Sequence, residues 1–208
     1  MSRDAILHKV RTAVGRSVGS PPSDPPPIPE RHFAAAVETF RACLDKLGGT
    51  TRVVASPEEA RAAVRQILQG RPALAASHPF LTTCGIGGLD NVRKGIEDPS
   101  AWRAACAEVD IGITSADYAL ARTGTLVMLA GPENPRLVSL LPPVHIAVVP
   151  LNCLIGSLDE LLAREPRVFD RTASLVLITG SSRTADIEQI LVRGVHGPGE
   201  LHVIFVAA

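Results

Sequence analysis

Aromatic residues are scarce in this chain. They make up 3% of 208 positions, with one Trp, one Tyr and five Phe. Ring platforms that stack the bases of single-stranded nucleic acid are therefore not expected. The core must be built from Ala, Val, Leu and Ile, since the hydrophobic fraction is nonetheless 46%. Net charge is missing too: Lys plus Arg and Asp plus Glu each number 21, so nothing draws the chain to nucleic acid or a membrane surface as a whole. No apolar run approaches the ~20 residues that cross a bilayer, so no membrane span is expected. The opening MSRDAILHKVRTAV has scattered charges and no apolar block, unlike a secretory leader, and a cytoplasmic location is expected.

Metal-ligand spacings are equally absent. Cys43, Cys84, Cys106 and Cys153 include no C-x-x-C pair and sit in apolar or small-residue surroundings. They read as reduced, mostly buried thiols, and their spacing gives no support to an iron–sulfur site assembled from distant loops. The six histidines form no H-x-x-x-H pair. The glycine-rich run Thr82-Thr83-Cys84-Gly85-Ile86-Gly87-Gly88 matches neither G-x-G-x-x-G nor a Walker loop and is expected to be a flexible surface loop.

What is present is an alternation of short strands and helices. Residues 4–14 fit a short helix, and GSPPSDPPPIP at 19–29 can be neither helix nor central strand, because proline fixes φ and lacks an N–H. Residues 1–29 are thus an N-terminal helical arm on an extended linker, and 30–208 one domain. Its expected helices cover 31–47, 57–69, 102–108, 118–122, 157–164 and 185–192. The expected strands cover 51–55, 71–77, 109–114, 126–129, 144–149, 175–178 and 201–206. This order predicts an α/β protein, a three-layer α/β/α domain on a mainly parallel sheet. Ligands of such sheets bind at the carboxyl ends of the strands. Three polar turns are expected there: Thr114 to Asp117, Thr123-Gly124-Thr125 and Gly180 to Thr184.

The most informative stretch is LVLITGSSRTADIEQILVRGVHGPGELHVIFV, from Leu175 to Val206. It reads as a buried strand, a tight turn and a helix start with two hydroxyls and an arginine. Free N–H groups there, with the guanidinium fork of Arg183, suit a phosphate or carboxylate. Ser182 and Thr184 would bond the ligand or cap the helix. Asp117 and Asp186 would orient Arg183, act as bases or stabilise helix starts. Thr114 belongs to the same set of hydroxyl turns. Gly124, between Thr123 and Thr125, would let backbone approach a ligand or serve as a strand-entry turn. His196, in a Gly/Pro turn, suits a site or interface role, and His145 reads as a satisfied core histidine. No acid–base pair is identified, so catalytic residues are unknown.

GITSADYALARTGTLVML, SLLPPVHIAVVP and ITGSSRTADIEQILVRGVHGPGELHVIFV together resemble the LUD domain, specifically its lactate-utilisation protein C group (the LutC/YkgG group). The resemblance is continuous from about Val109 to Val206. It implies a fold like that of the NagB/RpiA/CoA-transferase superfamily. It also implies a role in L-lactate oxidation to pyruvate beside two iron–sulfur partner proteins, which would hold the redox centres while this chain binds no cofactor itself. There are two departures. Ser181 stands where the group often has proline, and Arg122 where it commonly has an acid. Two alternatives stay open: a stand-alone enzyme on a phosphorylated or CoA-linked small molecule, and a non-catalytic scaffold or regulatory protein.

Overall fold

The computed structural model describes residues 2–14, 33–96, 98, 101–185 and 191–207. In chain order the elements are α1 (Arg3–Val14), α2 (Phe33–Lys46), β1 (Gly49–Val54), α3 (Pro57–Leu68), β2 (Ala73–Ala75), α4 (Pro79–Thr83), β3 (Val92–Lys94), α5 (Trp102–Ala107), β4 (Ile111–Thr114) and β5 (Tyr118–Leu120). They continue with β6 (Thr125–Leu129), α6 (Arg136–Leu140), β7 (Val144–Pro150), β8 (Leu154–Ile155), α7 (Leu158–Arg164), β9 (Leu175–Ile178), β10 (Arg183–Ala185), β11 (Leu191–Arg193) and β12 (Glu200–Val206).

A six-stranded sheet in the order β1-β12-β7-β4-β2-β3 runs parallel throughout. Both faces of its inner strands are covered, which is why β2, β4, β7 and β12 are mainly apolar, while the edge strands β1 and β3 carry polar residues. Alternation sorts their side chains. Val144, Ile146, Val148, Ile111, Ile113, Ala73 and Ala75 pack toward α3 and α4 on one face. Ala147, Val149, Leu201, Val203 and Phe205 pack toward α2 and a second sheet on the other. The second sheet has the order β8-β5-β6-β9. Leu74 meets Trp102 of α5 and Val138 of α6 on that same side. Phe40 and Phe205, both fully buried, meet edge to face with ring centroids 5.0 Å apart. The α/β fold with a mainly parallel sheet is as expected, and one outer layer combines helices with the small sheet.

Two helices carry the same local device. Ser56 accepts from the Glu59 N–H at the start of α3, and the Glu59 carboxylate accepts from the Ala55 N–H at 2.8 Å. Ser157 and Glu160 repeat this at α7, with Glu160 accepting from the Gly156 N–H at 2.6 Å. Each pair satisfies helix-start donors that would otherwise lack partners.

Three expectations are corrected. Residues 118–122 form no helix: β5 pairs antiparallel with β6, Tyr118 facing Val127. The turn at Gly124 folds the segment back onto β6, so its backbone groups pair across the strands. The described ends of the helix expected over 185–192 are strands instead, and its middle, 186–190, lies outside the described residues. Arg183–Ala185 pairs antiparallel with Leu191–Arg193, putting Arg183 opposite Arg193. The Ser182 N–H donates to the Pro198 carbonyl at 2.8 Å and the Gly194 N–H to the Ser182 carbonyl at 3.0 Å, so the chain returns on itself. Ser182 and Thr184 therefore cap no helix, and Asp186 and Glu188 lie outside the described residues, as does the linker 19–29. Finally, the glycine-rich segment is packed, not free. Cys84, Ile86 and Leu89 are buried in the main core.

Candidate functional site

The motif-rich C-terminal stretch assembles at the amino edge of the large sheet, not at the carboxyl edge. Gly180, at φ +93°, leaves the small sheet against the end of α2, where an added Cβ would stand 2.6 Å from Leu47 Cβ. The buried Ser181 hydroxyl donates to the Leu47 carbonyl at 3.2 Å. A proline there could make no such bond, so serine ties the turn to α2 chemically.

Gly48 precedes β1 with φ +75°, and three polar groups converge over it. A Cβ built on Gly48 would lie 2.8 Å from Arg183 Nη2, 3.3 Å from Ser181 Oγ and 3.5 Å from Arg193 Nη1. The hairpin thus sets two guanidinium groups directly opposite each other. Like charges in that position repel, and among the described residues neither arginine has a carboxylate partner. Arg183 Nε is buried without a hydrogen-bond partner among them.

Beside this pair opens a cleft of about 920 Å³, lined by Arg71, Arg193, His196, Asp110, Glu200 and Leu140 among others. A smaller chamber of about 180 Å³ lies between the two sheets and shares Leu140, His196 and Gly197 with the cleft. His145 and Ser182 are in its wall. His145 is 1% exposed, and its Nε2 lies 2.8 Å from Thr114 Oγ1. Burial pushes its pKa down to about 3, with nearby His202 adding to the effect, so the ring is neutral.

The other expected site residues fall elsewhere. Thr114 is fully buried, and Asp117 lies beyond it at the carboxyl edge, the opposite end of the sheet from Arg183. Asp117 does not orient that arginine: its carboxylate accepts from the Leu129 N–H at 2.8 Å. Thr123, Thr125 and Thr179 form a hydroxyl chain with spacings of 2.7 and 2.8 Å. Gly124 (φ +66°) gives close approach to α2: an added Cβ would lie 2.8 Å from Leu44 N and 3.1 Å from Cys43 Cβ. Gly124→Ala is expected to destabilise the fold by about 2–3 kcal/mol, combining left-handed strain with overpacking. A denaturant midpoint unchanged from wild type would contradict this. Arg122 is exposed, and its carbonyl accepts from the Cys43 thiol.

Gly48, Arg193 and Arg71 were not among the residues expected at the site. Arg193 follows Leu191 and Val192 closely enough to pass for the end of a helix. Only the hairpin shows it as the partner of Arg183. A second polar cluster gathers at the carboxyl edge. There the Asn134 amide donates to the Ser115 carbonyl at 3.1 Å, while Ser115 Oγ and Asn134 Oδ1, both buried, have no partner among the described residues. His78 lies nearby, its pKa lowered by burial against the opposing pull of Asp117 and Glu133. Among the described residues no group of three or more His, Cys, Asp or Glu is arranged to hold a metal ion. No helix among them is long and apolar enough to cross a membrane.

The family model of the LUD domain matches residues 37–206. The chain belongs to the LUD domain family. Its relatives include Lactate utilization protein C of Halalkalibacterium halodurans, 44% identical over 95 residues, which cover 44% of this chain and 41% of that protein. Lactate utilization protein C of Exiguobacterium sp. is 38% identical over 113 residues, 52% of this chain and 49% of that one. The protein of the same name from Anoxybacillus flavithermus is 30% identical over 162 residues, 72% of this chain and 70% of that one. The match to the first two therefore spans half of their length or less. A DUF162 family protein from Deinococcus radiodurans shares the fold, with a TM-score of 0.63 at 20% identity, covering 86% of this chain and 100% of that one.

The LUD match includes the whole amino-edge site, from Gly48 to the Arg183–Arg193 hairpin and His196, and leaves out α1.

Proposed function

We propose that this LUD-domain chain takes part in lactate utilisation, as a subunit of an iron–sulfur system that oxidises L-lactate to pyruvate. In this reading it binds a small carboxylate at the Arg183–Arg193 face and carries no redox cofactor of its own. Oxidation of L-lactate releases two electrons and two protons, and the electrons pass to clusters held by two partner proteins. The names of the relatives support the pathway. One observation carries the site: two arginines directly opposite on a hairpin, converging over a glycine, with no carboxylate among the described residues to neutralise them. An anion between them would turn repulsion into charge-assisted hydrogen bonds.

The test has two parts. Anaerobic lactate oxidation by the two partners is measured with and without this chain, and activity indifferent to the chain would sink the subunit role. Titration with L-lactate, pyruvate and inorganic phosphate then probes the site. Arg183→Ala and Arg193→Ala are each expected to weaken anion binding by about 10- to 100-fold, the loss of one hydrogen-bonded charge. Wild-type affinity in both variants would remove the site. The cleft of about 920 Å³ favours a second reading, because it exceeds what a three-carbon acid fills. There the chain is a stand-alone enzyme on a phosphorylated or CoA-linked molecule, and tight CoA binding with no lactate or pyruvate binding would select it.

A further inference from the structure

The chamber between the two sheets is separate from the arginine pair and has its own chemistry. Its wall carries hydroxyl residues Ser139, Thr179 and Ser182, apolar residues such as Ile178 and Leu201, and His145. Among the described residues no Asp, Glu, Lys or Arg lines it, and His196 stands where it meets the outer cleft. His145 is fixed at one nitrogen by Thr114, while its other nitrogen, Nδ1, is buried and has no partner among the described residues. Buried polar atoms are nearly always hydrogen-bonded, so this one asks for an occupant.

The two possible tautomers narrow what that occupant is. If Nε2–H donates to Thr114, Nδ1 is a bare acceptor and needs a donor. If Thr114 donates to Nε2, Nδ1 carries the hydrogen and needs an acceptor. A hydroxyl group serves either case, whereas a carboxylate serves only the second. A charged group in the chamber would also meet no counter-ion among the described residues of the wall. The volume of about 180 Å³ is roughly six times the share of one liquid water, room for a few heavy atoms.

We infer that the chamber is a binding pocket for an uncharged, hydroxyl-bearing molecule or terminus of a few heavy atoms, with His145 Nδ1 as its hydrogen-bonding anchor. The pocket does not depend on the lactate reading, since none of its wall residues comes from the arginine pair. It gives a function to a histidine whose buried ring would otherwise only fill space.

The test uses the full chain with ¹⁵N-labelled histidine. The His145 signals are identified by their absence from the His145→Gln variant. Propane-1,2-diol is then titrated, with acetate as the charged comparison. The expected result is a saturable shift at the His145 ring nitrogens with the diol and less than a tenth of that shift with acetate. Ser182→Leu, which puts bulk beside Gly197 in the wall, should abolish the diol shift. Lack of a saturable shift with the diol, or an equal shift with acetate, would overturn the proposal and leave the chamber holding only solvent. The wild-type comparison decides this even if Ser182→Leu does not fold.

Discussion

Replacing Gly112 by alanine is expected to cost about 3 kcal/mol or more, a large part of the stability of an ordinary domain. Gly112 is buried in β4, paired with His145 on one side and Leu74 on the other. Its outer face meets the backbone of α6. An added Cβ would fall inside the carbonyl oxygen of Val138 and lie 3.1 Å from Pro142 Cγ. The obstacle is backbone, so no rotamer change relieves it. Either α6 lifts from the sheet or β4 is displaced, and α6 also carries Ser139 and Leu140 of the chamber wall. Gly131→Ala is the matched control, because among the described residues nothing lies within 4 Å of a Cβ there, and it should fall within about 0.5 kcal/mol of wild type. Denaturant melts of the two variants check this. Near-equal midpoints would mean that α6 is not seated on Gly112 as described.

The second large effect is acid lability. In the unfolded chain His145 takes up a proton near pH 6.5, whereas in the fold burial holds its pKa down to about 3. Between those values the unfolded state binds more protons, so stability falls as pH falls. The contribution of His145 is fully present above about pH 6.5 and is lost progressively toward pH 3. The expected loss is about 2 kcal/mol between pH 7 and pH 5. His78 and His202 are shifted downward for the same first reason, burial, against the opposing pull of Asp117 and Glu133 on His78 and of Glu200 on His202. They therefore act with the same sign. Urea unfolding at several pH values should give a steep decline in the wild-type chain below pH 6.5. The decline should be shallower in His145→Gln, which keeps a hydrogen-bonding side chain near Thr114 but cannot titrate. Parallel curves would show that the ring is not neutral and buried.

These two results bear on the site differently. The glycine holds α6 against the sheet and so shapes the chamber wall. The histidine sets the chemistry of that wall, and its neutrality at physiological pH makes the chamber suited to uncharged groups. Neither touches the arginine pair, whose test is binding affinity. Stability and anion affinity are therefore expected to vary independently between the two sets of variants.

The sequence alone determined the elements whose causes are local. Ser56-Pro57-Glu58-Glu59 and Ser157-Leu158-Asp159-Glu160 write out a helix start within four residues, and both helices begin there. Runs such as Ile146–Val149 and Val203–Val206 are too uniformly apolar for a one-sided strand, which pointed to a covered parallel sheet. Arg183, Ser182 and His196 stood out because their residue types suit anions or turns, whatever the surrounding fold. Tertiary structure decided what depends on distant partners. Short segments such as 118–122 and 185–192 carry too few residues for periodicity to separate helix from strand, and pairing made strands of Tyr118–Leu120 with β6 and of Arg183–Ala185 with Leu191–Arg193. Ser181 is bonded to Leu47, 134 residues away in the chain, and that contact brings the motif to the amino edge of the sheet. Gly124 suited a ligand-approach turn by sequence, yet the backbone of α2 occupies the space. The opposition of Arg183 and Arg193, and the neutral His145 facing a chamber, exist only once the hairpin and the second sheet have closed over the first.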